Sequence, residues 1–223
     1  MPEWDELFKE ERFRWQDPDP AVLALAQELE QRSKPASGSE SPGRVLDLGF
    51  GAGRHVLYLA RHGFEVCGTD VSPRGLELTR EWLRREVLQA DLQLSDMTVI
   101  PFPDGHFDGV ISTYVIHHNT LANILGCVCE IHRVLVPGGR AVLIVQSKRG
   151  YRYGRGKELE PDTFIVDSGA DAGVPHHFFD EASLRELLAQ FLILSITPRE
   201  SLDNEGCRHA HWEATVQKVA DLE

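Results

Sequence analysis

Between residues 44 and 146 short apolar runs alternate with amphipathic stretches. The runs at 44–48, 64–70, 91–95, 107–115 and 139–146 predict strands, and the stretches at 54–62, 73–86 and 121–136 carry helical spacing. Such alternation predicts an α/β fold with a parallel sheet covered on both faces. Beyond 147 the pattern breaks. Residues 148–180 show no sustained helical period and are rich in glycine, which marks an irregular insertion of the kind that forms lids. A helix at 181–189, a strand at 191–197 and a last strand near 208–218 follow. At the other end, residues 1–31 read as helical, with Trp4, Leu7, Phe8, Val22, Leu25 and Leu29 as apolar positions, interrupted by "DPDP" at 17–20. The small-polar stretch "SKPASGSESPG", 33–43, reads as a linker. The expected organisation is an N-terminal helical cap and linker, 1–42, and one domain, 43–223, with the insertion 148–180 inside it.

A chain of 223 residues is ample for one buried core, and its 42% hydrophobic and 26% charged content is ordinary for a globular domain. The formal charge of −12 disfavours a generic nucleic-acid binder. No stretch approaches the roughly 18 apolar residues of a membrane span. "MPEWDELFKE" lacks the apolar centre of a signal peptide. Cys67, Cys127, Cys129 and Cys207 show no disulfide or metal spacing, so buried reduced thiols in a cytoplasmic protein are expected.

The chemistry concentrates in "VLDLGFGAGRHVLYLA", 45–60, a strand ending in a glycine turn that opens a helix. A dinucleotide fingerprint places its third glycine three residues after the second. Here Gly53 comes two after Gly51, and Arg54 holds the fingerprint position. Gly49 and Gly51 allow close backbone approach to a ligand. Asp47 would repel a pyrophosphate but suits an ammonium group, met directly or through water. Asp70, ending the second strand in "GTDVS", can accept ribose hydroxyls. Asp96 can accept an adenine amino group, and Met97 offers a backbone N–H and an apolar side chain to the ring.

"VLDLGFGAG", "GTDVS", "DMTVIPFPDGHFDGV" and "EIHRVLVPGG", in this order and spacing, resemble the class I S-adenosylmethionine-dependent methyltransferases. The resemblance runs from about 43 to 147 and more weakly to 219. A few residues, "FDGVIST" and Val115, are similar to the tellurite-resistance type of small-molecule enzyme. The resemblance implies a Rossmann-like seven-stranded sheet whose last strand is antiparallel, with S-adenosylmethionine bound and S-adenosylhomocysteine released. It implies Gly49, Gly51 and Gly53 along the methionine and ribose path, Asp70 with Val71 at the ribose, Asp96 and Met97 at the adenine, and Thr113 near the methionine end. Phe50 departs mildly from the family's usual small residue. Asp108 reads as a loop anchor.

Methyl transfer from a sulfonium needs positioning and water exclusion, with a base only for a protonated nucleophile. His117 and His118, after the fourth strand, are the catalytic candidates. Adjacent residues at a strand end point apart, so at most one of the two is expected to face the substrate. His176 or His177 could close over the site, whereas His209 and His211 are expected on an ordinary sheet face. No metal is expected. The aromatic N-terminus (Trp4, Phe8, Phe13, Trp15) could cap the cofactor. "SKRGYRYGRGK", 147–157, carries five cations and no acid, which suggests a lid favouring an anionic or aromatic acceptor. A small-molecule acceptor is expected. The alternatives are a tRNA methyltransferase, suggested by "VIHH", and a non-catalytic cofactor-binding relative.

Overall fold

A computed structural model describes residues 2–11, 14–33, 41–166 and 171–220. The elements in chain order are α1 (Pro2–Leu7), α2 (Pro20–Ser33), β1 (Arg44–Leu48), α3 (Arg54–Arg61), β2 (Glu65–Asp70), α4 (Pro73–Glu86), β3 (Asp91–Leu94) and β4 (Phe107–Thr113). They continue with α5 (Leu121–Val134), β5 (Leu135–Gln146), β6 (Lys157–Glu160), β7 (Thr163–Ile165), β8 (Pro175–His177), α6 (Glu181–Leu187), β9 (Leu192–Leu202) and β10 (Arg208–Gln217). Most of the expected linker and Phe13 lie outside the described residues.

The main sheet has seven strands in the order β3-β2-β1-β4-β5-β10-β9. Strands β1 to β5 pair in parallel, and β10 runs antiparallel to both β5 and β9. Side chains of period 2 fill both faces. Leu46, Leu48, Val110, Leu143 and Val145 pack with α5 and α6 on one side. Val45, Ile111 and Val142 pack with α2, α3 and α4 on the other. Thus α2 belongs to a layer of the core, and only the chain before it is free to act as a cap.

Local chemistry explains several boundaries. Ser72 caps α4 by accepting the Gly75 N–H, and Pro73 follows at the first helical position. Asp180 and Ser183 form a capping box on α6. Asp108 anchors the start of β1, its Oδ2 accepting the Arg44 N–H at 2.8 Å. Strand β5 begins at Leu135, earlier than its sequence suggests, because Leu135 pairs with Phe107 before Val136–Gly139 loop out of register. The insertion contains a small antiparallel sheet, β6-β7-β8. Strands of three or four residues are too short to show a period in the sequence. Of the four thiols, all free, Cys67 and Cys127 are buried, but Cys129 is exposed and Cys207 half-buried, against the expectation of burial.

Candidate active site

Strand order reverses between β1 and β4, so their carboxyl ends open a crevice where doubly wound sheets bind ligands. A cavity of about 620 Å³ lies there. Its floor is the turn after β1. Gly49 adopts φ +82, and a Cβ there would come within 2.3 Å of the Val115 side chain. Gly51 adopts φ +54 against the Phe8 ring. Gly53, at φ +92, sits outside the cavity lining and lets α4 approach through Thr79, so its role is packing.

Asp70, Val71, Asp96, Met97 and Thr113 all line this cavity. Asp70 Oδ2 accepts the Gly51 N–H at 2.7 Å, and Oδ1 accepts the Ser72 N–H at 2.8 Å. Burial nonetheless pushes its carboxyl up to about 6, because desolvation outweighs those backbone hydrogen bonds. Asp96 is exposed, its Oδ1 taking both the N–H and the hydroxyl of Thr98. Asp47 lies just beneath the floor and is buried, with Oδ2 lacking a hydrogen-bond partner and 3.8 Å from His55 Nδ1. Thr113 Oγ1 accepts from Arg54, whose guanidinium stacks over Trp15 at 4.7 Å.

The opposite wall carries Trp4, Trp15, Tyr114, His118, Arg152 and Asp171. His117 and His118 do not point apart. They stand in a turn beyond Thr113, where strand alternation has ended, and their rings are 4.1 Å apart. His118 lines the first cavity, and both line a second cavity of about 520 Å³ behind Tyr114. Tyr114 is held in the left-handed region at φ 63. Such a conformation in a non-glycine residue is costly and clusters at functional sites. His176 turns to the site, 4.6 Å from the His118 ring and 2.9 Å from Asp171, while His177 bonds Thr163 and packs on Phe179. His211 does not lie on an ordinary sheet face. It lines the second cavity and meets the Tyr114 ring edge-on at 4.9 Å.

Burial holds the imidazoles of His117, His118 and His211 uncharged. His117 falls well below its ordinary value, His118 to about 3 and His211 to about 4, with neighbouring cations adding to the desolvation. Three of the five cations in the basic run hold carboxylates, whereas Arg155, which stacks over Tyr151, and Lys157 are exposed. Lys148 bonds Asp162 and Asp180, Arg149 pairs with Glu200, and Arg152 forks onto Asp171. The sequence reading passed over His55, Tyr114 and Asp171, and it placed His211 on the wrong surface. Tyr114 lies inside the fourth apolar run, 107–115, where nothing in the sequence marks its left-handed backbone.

Residues 46–143 match the family described as "Methyltransferase domain". Over that stretch the chain carries the pattern of a methyltransferase domain, and its fold is that of the S-adenosylmethionine-dependent methyltransferases. Over 100 residues it is 38% identical to demethylmenaquinone methyltransferase of Tropheryma whipplei, covering 44% of this chain and 40% of that protein. The chain spans about half or less of the length of such curated relatives. In fold, this chain is similar to a SAM-dependent methyltransferase from Methanosarcina mazei, with TM-score 0.74 and 21% identity over 92% of this chain and all of that one. It is also similar to TehB from Haemophilus influenzae, with TM-score 0.66 and 18% identity over 90% and 62% of the two chains. At such identities the likeness is one of fold.

Proposed function

We propose that this chain transfers a methyl group from S-adenosylmethionine to a small-molecule acceptor. The supporting observation is one continuous cavity that reaches from Asp70 and Asp96 to Trp4, Trp15 and His118. The residues suit the cofactor on three counts. Gly49 leaves room that any side chain would fill, Asp47 keeps a buried oxygen without a partner, and Asp70 closes the strand beside the turn. Asp70 with Val71 would take the ribose, Asp96 and Met97 the adenine, Asp47 the ammonium, and Thr113 the methionine end. When bound, the cofactor supplies an electrophilic methyl group on a sulfonium.

The chain's own contribution is positioning and exclusion of water. Residues before α2 form the cap, since Trp4, Leu7, Phe8 and Trp15 wall the cavity. Residues 148–180 supply the opposite wall through Arg152, Asp171 and the 173–175 turn. A general base works best with a pKa near the working pH. At about 3, His118 is far from it, so its role is to orient the acceptor. The aromatic wall, on which Arg54 stacks and Arg152 is matched by Asp171, favours an aromatic acceptor. A curated relative named for demethylmenaquinone accords with a small-molecule acceptor.

Calorimetry tests the reading. S-adenosylhomocysteine should bind and NAD should not, and Asp70→Ala should weaken the former by about 1.5–3 kcal/mol, as for hydrogen bonds to a charged group. In turnover, His118→Gln should cost less than the ~10²–10⁴-fold typical of a lost general base. Tight NAD binding, or indifference to Asp70→Ala, would overturn the assignment.

A further inference from the structure

The second cavity lies outside every cofactor contact assigned above. It shares Trp15, Tyr114, His118 and Asp171 with the first as a common wall and reaches Arg199–Ser201 on β9 and His209 and His211 on β10. Two features single it out. The first concerns its inner imidazoles. His117 is buried to 1% exposure, yet its Nδ1 has no hydrogen-bond partner, and His211 makes no side-chain hydrogen bond among the described residues. An unsatisfied buried polar atom costs about 1–3 kcal/mol, and native chains keep few without a functional reason. A neutral imidazole offers one donor and one acceptor, so each ring can serve a hydroxyl, a ring N–H or a carbonyl.

The second feature is charge. The cation that lines this chamber and two beside it already hold carboxylates, while Arg54 stacks on Trp15 and turns to Thr113 in the first cavity. Arg199 takes both oxygens of Asp19 at 2.8 Å and reaches Glu213. Arg152 is matched by Asp171, and Arg149 by Glu200. A ligand bearing a carboxylate or phosphate would lose its hydration here and meet no free counter-charge among the residues that line the chamber. Polar, hydrogen-bonding and electrically matched surroundings select an uncharged polar group.

We propose that this second chamber is the acceptor's specificity pocket and takes an uncharged ring whose O–H, N–H or carbonyl groups pair with His117 and His211. The inference rests on the methyl-transfer reading, and it places the acceptor's polar end behind Tyr114 with its reacting atom toward the first cavity. Arg199 contributes indirectly as a positioning residue. It holds Asp19, whose N–H donates to His55 Nε2, so the rim of the chamber and the floor of the cofactor cavity share one hydrogen-bonded chain.

The test uses two probes of one shape, 2-naphthol and 2-naphthoate, titrated calorimetrically into protein saturated with S-adenosylhomocysteine. The neutral probe is expected to bind and the carboxylate to bind at least about tenfold more weakly, about 1.4 kcal/mol. His211→Leu should weaken naphthol severalfold. Because inner substitutions can disturb folding, Ser201→Trp supplies a second arm, since Ser201 is exposed at the rim and a tryptophan there plugs the chamber. It should abolish naphthol binding and leave S-adenosylhomocysteine affinity within about twofold, less than 0.5 kcal/mol. Equal binding of the two probes overturns the proposal, as does no binding of either, or naphthol affinity indifferent to both substitutions. If S-adenosylhomocysteine itself fails to bind, the methyl-transfer reading falls. If it binds and naphthol does not, this inference falls alone.

Discussion

Asp70 shows how one buried carboxylate ties cofactor affinity to pH. In the folded chain its value rises from 3.8 to about 6 because burial penalises the charge. Between those values the folded protein binds more protons than the unfolded chain, so this group lowers stability as pH rises through the window. In the proposed site the ribose hydroxyls donate to the ionised carboxylate, so cofactor binding should follow the opposite course. S-adenosylhomocysteine affinity should be level above about pH 7 and fall as pH drops through 6, and Asp70→Asn should bind weakly with no such dependence. Calorimetric titrations from pH 8 to 5 check this, and a flat wild-type profile contradicts it. The carboxylate itself was legible because a strand followed by a short turn fixes where its last residue stands. Asp47, one residue before the end of β1, and Asp96, two beyond the end of β3, stand near strand ends as well. His211 was not legible, because only the β10–β5 pairing brings it against the Tyr114 ring. The closeness of His117 to His118 depends on a turn whose shape no two-residue alternation encodes.

At the scale of elements, α1 has only six residues and cannot hold itself as a helix; isolated helices under about 12 residues are marginal in water. Its place comes from contacts. Trp4 meets the His118 ring edge-on at 4.8 Å, and Phe8 lies against Gly51 and Gly75. Asp5 clasps the start of α4, accepting the Ser72 hydroxyl and the Arg74 N–H, which holds its carboxyl below the usual range. Ser72 in turn donates its N–H to Asp70, so the cap and the ribose carboxylate meet at one residue. Asp5→Ala should therefore raise the dissociation rate of S-adenosylhomocysteine severalfold by stopped-flow fluorescence and leave the melting temperature nearly unchanged. Glu6→Ala removes only an exposed pair with Lys9 and should leave the rate as it is. Equal rates for the two variants would make α1 a bystander. The cap's aromatic residues were visible in the sequence, but the clasp was not, since it joins residues 67 positions apart. The alternation from 44 to 146 was readable because each element exceeds its own period. The β6–β8 sheet and the early start of β5 were not, because pairing decides them locally.

At the scale of the whole molecule, the acidic field decides between a small acceptor and RNA. The chain carries −12 at neutral pH, and the basic run at 147–157 is its most concentrated source of positive charge. Folding spends much of that charge internally, since Lys148, Arg149 and Arg152 each face carboxylates within the chain. A matched pair projects little field beyond the Debye length of about 8 Å at physiological salt. Phosphate backbones bind by releasing counterions to unpaired Lys and Arg, with a salt slope of about −0.7 per contact on single strands. With only Arg155 and Lys157 of this run unpaired among the described residues, an unmodified tRNA transcript should bind more weakly than the ~10⁻⁴–10⁻⁶ M of ordinary non-specific complexes. Its weak binding should also vary little between about 50 and 200 mM salt, the range over which several phosphate contacts cost orders of magnitude. Fluorescence anisotropy with labelled transcript measures both. Binding below about 10⁻⁶ M with a steep salt slope would mean that the pairs of residues 148–152 open on RNA. The insertion would then be a nucleic-acid surface, and the second chamber would admit a flipped base, whose uncharged polar edge asks for the same imidazoles. A flat, weak response leaves the chamber to a free small molecule.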